Sequence, residues 1–283
     1  MAVTDRPPAR GRTERVRVTA VDGPEATDRL DRLAGEEPME IRVAGPGQQP
    51  TALAVTMRTP GDDFELAVGF LVTEGLVASP DDLDTVAYCV GPDGAQEYNV
   101  VTVRLRRPFD VAGHERNFYA TSSCGICGKA SIDHVEQACG PVAPGPTVAR
   151  SVLTALPARL RDAQSVFEQT GGLHAAGRFA PDGTLVTLRE DVGRHNALDK
   201  LVGHAFLAGD LPLSEAIVMV SGRVSFELVQ KAALAGVPVL CAVSAPSSLA
   251  VEAARRFGMT IVGFLRGNRF NVYTGADRLD LDA

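Results

Sequence analysis

The chain has 283 residues, 45% of them hydrophobic and 22% charged, and a formal net charge of -7. That composition excludes wholesale disorder, and it excludes a general nucleic-acid binder, because counterion release needs clustered Lys and Arg facing phosphates. No window reaches the ~18 consecutive apolar residues of a membrane span. The five cysteines of a chain large enough to bury its own core fit a reducing compartment better than a disulfide framework.

The first stretch, residues 1–14, is read as a disordered basic tail carrying Arg6, Arg10 and Arg12. No apolar segment follows that could serve as a signal-peptide core, so the protein is expected in the cytoplasm with no membrane association. Residues 15–140 read as an α+β portion. Strand-like runs at 38–43, 51–58 and 97–106 surround one helix, which Asp62 would cap with Glu65 three residues on and which Gly75 would stop. The segment EYNVVTVRLRR alternates with period two, the pattern of a half-buried antiparallel strand.

PVAPGPTVAR, residues 141–150, reads as an exposed connection, and a soft boundary is placed there. Beyond it, 151–283 reads as an α/β portion that binds a cofactor. GLHAAGRF and TLVTLRE flank Asp182-Gly183, a hairpin signal. The apolar strands AIVMVSG, PVLCAVS and TIVGFLRG then alternate with helices in VGRHNALDKLVGHAFLAG, SFELVQKAALAG and SSLAVEAARRFG. Such spacing predicts a parallel sheet covered on both faces.

The sharpest local feature is Cys124-Gly125-Ile126-Cys127-Gly128-Lys129. Two thiols at this spacing can reach one metal ion, one disulfide partner or one shuttled sulfur atom. A following helix and Lys129 would lower a thiol pKa and favour the thiolate. Three alternatives compete. His134 and Cys139 could complete a zinc set with the pair, although a helix over 130–139 would turn one ligand away. His134-Val135-Glu136 matches half of a zinc-deaminase signature, but it follows the cysteines and Ser123 stands where Pro is needed. A thioredoxin-like dithiol would follow the opening strand of a βαβ unit, and this one does not. Cys89, Cys139 and Cys241 carry no local cue, and Cys241 is expected to be buried and inert.

Ligands of open parallel sheets bind at the carboxyl ends of the strands. Three such ends are rich in small and basic residues: Ser221-Gly222-Arg223, Ser244-Ala245-Pro246-Ser247-Ser248 and Arg266-Gly267-Asn268-Arg269. The first two run into helix starts that attract phosphate, and arginine adds a bidentate fork. Asp191 would cap the helix that begins near Arg194, leaving Arg194, His195 and Asn196 beside the strand ends. His174, among glycines and alanines, suggests close approach by another molecule.

Taken together, SSCGICGKAS, GGLHAAGRF, EDVGRHNALDKLVG, SGRVSFELVQKAALAGVPVL and GFLRGNRFNVYT resemble the formate dehydrogenase accessory sulfurtransferase family, FdhD/NarQ, over residues 40–275. The resemblance implies a cytidine-deaminase-like three-layer α/β core in the C-terminal half, without the deaminase zinc site, and a homodimer. It implies that a cysteine desulfurase loads persulfide sulfur onto the C-x-x-C pair, with Cys124 bearing the persulfide and Cys127 as its partner. The sulfur passes to the molybdenum (or tungsten) bis-molybdopterin guanine dinucleotide cofactor of formate dehydrogenase. Phe264, Leu265, Arg266, Gly267, Asn268 and Arg269 map to the family's guanine-dinucleotide stretch. Ser221, Gly222, Arg223, Ser247, His195, Arg194 and His174 join them as candidate cofactor contacts from the strand-end argument. The alternative from another class is a zinc-stabilised chaperone that binds the molybdenum cofactor without transferring sulfur.

Overall fold

The alternating segment that ends near Arg106 forms a central strand of the smaller of two main sheets in this computed structural model, which describes residues 11–90, 96–110 and 140–283. That strand, β6 (Gln96–Leu105), runs parallel to β3 (Glu37–Ala44) and antiparallel to β5 (Leu83–Val90). With β4 (Thr51–Arg58) the order is β4-β3-β6-β5. Period-two alternation buries Met39, Ile41, Val43, Val101, Val103 and Leu105 in one core with α1 (Asp63–Thr73). Before this sheet, β1 (Thr13–Asp22) and β2 (Glu25–Ala34) form an antiparallel hairpin of their own. It begins at Thr13, inside the stretch read as tail; both of its faces are largely exposed, so its sequence carries no half-buried signal.

Asp62 stands at the start of α1 as expected, but the capping box does not form. Its backbone is left-handed (φ 57), its side chain caps nothing, and its carboxylate pairs with Arg12. Glu65 turns to Arg189, with Oε1 2.8 Å from Nη2. Cations distant in sequence outcompete the local backbone donors for both carboxylates.

The larger sheet has the order β13-β12-β11-β10-β8-β9. Its middle strands β10 (Ile217–Val220), β11 (Val239–Ala242) and β12 (Thr260–Arg266) are parallel, as the apolar runs predict. The sheet as a whole is mixed, because antiparallel strands flank this parallel centre. The hairpin of β8 (His174–Phe179) and β9 (Leu185–Asp191) joins β10 antiparallel, and β13 (Arg269–Thr274) folds back on β12. Val218 and Val220 face a core built with α4 (Arg194–Ala208), α5 (Phe226–Leu234) and α6 (Ser248–Arg256). Ile217 and Met219 face the opposite way, against Leu153, Leu156 and Leu160 of α2 (Arg150–Ala163). The C-terminal half is therefore a three-layer α/β core, with α2 and the short α3 (Ser165–Thr170) on one face. A two-residue pairing of β7 (Val148–Ala149) with β14 (Leu279–Asp280) ties the chain's last strand to the start of α2.

Buried ion pairs hold the two sheets together through α1 and α4. Lys200 Nζ lies 2.8 Å from Asp191 Oδ2 and donates to Thr59 O at 2.8 Å. Lys231 Nζ reaches Asp199 and Glu74, each at 3.0 Å. Burial pulls the Lys231 pKa down, but those two carboxylates more than offset it and leave it above the ordinary value. Among the described residues, no helix is long and apolar enough to cross a membrane.

Candidate functional site

The carboxyl ends of β10, β11 and β12 lie side by side, and the loops that leave them interlock. Val224 N–H donates to Ala245 O, and Ser247 N–H returns to Val224 O at 2.9 Å. Ser247 Oγ accepts from Ala250 N–H, so this serine is used as the cap of α6. Arg223 is exposed beside it.

At the end of β12, residues 264–269 divide by role. A register shift between Gly263 and Arg266 turns Phe264 outward with a left-handed backbone (φ 51) and a ring 41% exposed. Leu265 points inward and is fully buried in the core under α2. Arg266 and Arg269 pair across a two-residue loop, Gly267-Asn268, whose glycine has φ 53, a conformation that costs a side-chain-bearing residue more. Phe264, Arg266, Asn268, Arg269 and Asn271 line a cleft of about 810 Å³, and Arg150 reaches it from the start of α2. None of the three arginines has a carboxylate partner among the described residues. Cations gathered without acids suit a multiply charged anion. Arg150 was not singled out from the sequence; it stands at the end of the proline-rich connection, with no motif around it.

The remaining candidates form a second group at the other end of the strand row. His174 opens β8, and its Nδ1 lies 3.4 Å from Ser221 Oγ, which accepts from Ala175 N–H at 2.9 Å. Gly222 lies between His174 and Arg194: a Cβ built on it would be in ordinary contact with both the His174 ring and Arg194 Cδ. Burial first, then the Arg194 guanidinium, hold the His174 pKa below the usual histidine value, and the ring is neutral at pH 7. Arg194 Nε is buried without a partner. His195 Nε2 lies 3.1 Å from Ser225 Oγ and 2.9 Å from Glu227 Oε2. Both contacts use one nitrogen, so the three residues cannot act as a nucleophilic relay, which needs base and orienting acid on opposite sides of the ring. The bond to His195 holds the Glu227 carboxyl below its usual range.

Asp191 does not cap α4; that position belongs to Gly193. The Asp191 carboxylate is buried, paired with Lys200, and accepts from Gly193 N–H and Asn196 Nδ2. Asn196 also donates to Met57 O at 2.7 Å, so it fastens β4 to α4. Cys241 is buried as expected, its thiol pushed up to about 12 by desolvation. Cys89 is half-buried, with Sγ 3.0 Å from Thr102 Oγ1. Cys124 and Cys127 lie outside the described residues, as do Lys129, His134 and Cys139.

A family model described as the FdhD/NarQ family matches residues 34–280. The chain is 55% identical over 280 residues to the sulfur carrier protein FdhD of Streptomyces coelicolor, covering 96% of this chain and 97% of the relative. It is 52% identical over 276 residues to the sulfur carrier protein FdhD of Mycolicibacterium paratuberculosis, covering 94% and 98%. A crystal structure from Desulfotalea psychrophila, of a protein assigned as a formate dehydrogenase accessory protein, shares the fold with a TM-score of 0.72 at 23% identity, over 95% of this chain and 99% of that one.

Proposed function

The chain belongs to the FdhD/NarQ family, and we propose from this that it is a sulfur carrier whose thiol pair, Cys124 and Cys127, takes persulfide sulfur from a cysteine desulfurase. In loading, the Cys124 thiolate attacks the outer sulfur of the donor's persulfide. The donor's S–S bond breaks, its cysteine leaves as thiolate, and no net electrons move. The cargo site is the cleft at Phe264–Arg269, and the substrate is the molybdenum bis-molybdopterin guanine dinucleotide cofactor destined for formate dehydrogenase. The working unit is a homodimer in the cytoplasm.

The observation that carries the cargo assignment is the convergence of Arg150, Arg266 and Arg269 on one cleft in a chain whose net charge is -7. Such local charge against the global balance favours a phosphate-bearing ligand. Asn268, at the tip of the loop, offers an amide for a base edge, and the exposed Phe264 ring offers a face for stacking.

The test uses the full chain with a cysteine desulfurase and free cysteine. Intact mass should rise by one sulfur atom in the wild type and not in Cys124→Ala, and Cys124→Ala should fail to activate formate dehydrogenase. Full activation by Cys124→Ala would overturn the reading.

A further inference from the structure

The hairpin of β1 and β2 is a sheet of its own, so each of its strands has one unpaired edge. A two-stranded hairpin with no covering layer is marginal in water. Most of its side chains are nevertheless exposed, including Val21 at 72% and Leu30 at 65%. The body of the protein meets β2 at its base through side chains: Arg32 donates to Gln169 of α3, and a Cβ built on Gly172 would lie 3.4 Å from Ala34 Cβ.

The backbone ladder shows which groups face the open edge of β2. Gly35 N–H donates to Arg12 O, one step beyond the pair Thr13–Ala34, so Leu33, Asp31 and Arg29 aim their backbone groups at β1. Ala34, Arg32, Leu30, Asp28 and Ala26 aim theirs outward, and among the described residues no other segment's backbone meets them. Such a row is a template for another strand.

The charges along this edge decide which strand. Its centre reads Asp28-Arg29-Leu30-Asp31-Arg32. A second β2 laid antiparallel with Leu30 opposite Leu30 sets Asp28 against Arg32 and Arg29 against Asp31, each twice by symmetry. Outward groups must meet outward groups, so the neighbouring registers place Arg29 opposite Arg29 or Asp31 opposite Asp31, and both juxtapose like charges. Within the hairpin Arg15 already stands directly opposite Arg32, with no carboxylate paired to either among the described residues. A partner's carboxylate beside Arg32 offsets that repulsion. A uniformly acidic or basic partner would meet like charges along the same edge; the alternating signs suit a copy of the strand itself.

We infer that two copies of this chain associate through β2, antiparallel about Leu30, joining the two hairpins into one continuous sheet across a twofold axis. The inference rests on the homodimer reading and supplies its contact surface.

Sedimentation equilibrium of the full chain at low ionic strength tests it. The wild type should dimerise. Arg29→Asp and Asp31→Arg should each weaken self-association about tenfold or more, because two opposite-charge pairs become like-charge pairs. An equimolar mixture of the two variants should recover the wild-type affinity, since every charge in the mixed dimer again faces its opposite. Inside the hairpin Arg29 and Asp31 lie opposite Val18 and Val16, so neither change breaks a pair within the chain, and recovery on mixing excludes misfolding. A monomeric wild type would overturn the homodimer reading together with this inference. A dimeric wild type whose variants associate equally well, or whose weakened variants fail to recover on mixing, would overturn the β2 contact and leave the homodimer standing.

Discussion

Gly69 on α1 and Gly203 on α4 meet backbone to backbone. A Cβ built on Gly69 would lie 1.8 Å from Asp199 O, and one on Gly203 would lie 1.9 Å from Glu65 O. The atoms in the way belong to the main chain of the opposite helix, so no side chain can swing aside. This contact sets the distance between the two halves of the core. Gly69→Ala or Gly203→Ala should therefore cost ~3 kcal/mol or more, the top of the usual overpacking range. Urea unfolding checks it, with a lowered midpoint and an unchanged slope. A loss under ~1 kcal/mol would mean that the helices can separate freely.

Lys231 neutralises two carboxylates at the same joint. Lys231→Met leaves Asp199 buried without its cation and should cost about 3–5 kcal/mol. Because the folded pKa of Lys231 is raised, its contribution is complete below the unfolded value of ~10.4 and is lost as pH climbs through the folded value. Stability of the wild type should fall over that alkaline window more steeply than stability of Lys231→Met, as measured by unfolding at a series of pH values.

His174 gives the opposite dependence. Its folded pKa is depressed, so the unfolded chain takes up the proton first as pH falls below ~6.5. Stability should be full above that pH, decline between the unfolded and folded values, and level off below. His174→Gln should flatten this decline, and an equal slope in both proteins would show that His174 charges freely in the fold.

Replacing Arg266 and Arg269 together by Ala should weaken GDP binding by about 2–4 kcal/mol, allowing for incomplete additivity of charged contacts. Arg150→Ala alone should cost about 1.5–3 kcal/mol. Persulfide loading on Cys124 should survive all of these changes. Calorimetry with GDP beside the mass assay separates the two functions. Arg266 also donates to Val243 O at 3.0 Å, so its replacement is to be checked for folding first.

Phe264 holds a backbone conformation that costs a non-glycine residue ~1–2 kcal/mol. Phe264→Gly should keep or raise stability while weakening GDP binding through the lost ring. Equal affinity in wild type and variant would remove Phe264 from the site.

Period two in β6, the apolar runs of β10, β11 and β12, the Asp182-Gly183 turn between β8 and β9, and the helices at 194–208, 226–234 and 248–256 were all legible in the sequence. Each depends on neighbours a few residues away, as side-chain direction in a strand or helix does. The motifs around Cys124 and Arg266 were legible for the same reason. The stripe Leu153, Leu156 and Leu160 has the helical spacing of α2, although Pro157 lies within it.

Tertiary structure alone decided which partner each polar group takes and which way each edge strand runs. Asp62 and Glu65 look like a cap until Arg12 and Arg189 arrive from elsewhere in the chain, and Asp191 looks like one until Lys200 fills the space beside it. Neither strand direction at β8 nor the division of Phe264 outward from Leu265 inward is written in local periodicity. Both follow from which face the packed layers leave open. Arg150 acquires meaning only because α2 lies across the sheet and delivers its first residue to the cleft beside Arg266 and Arg269. A sequence records such residues singly, and only burial and charge brought together by folding determine what they face.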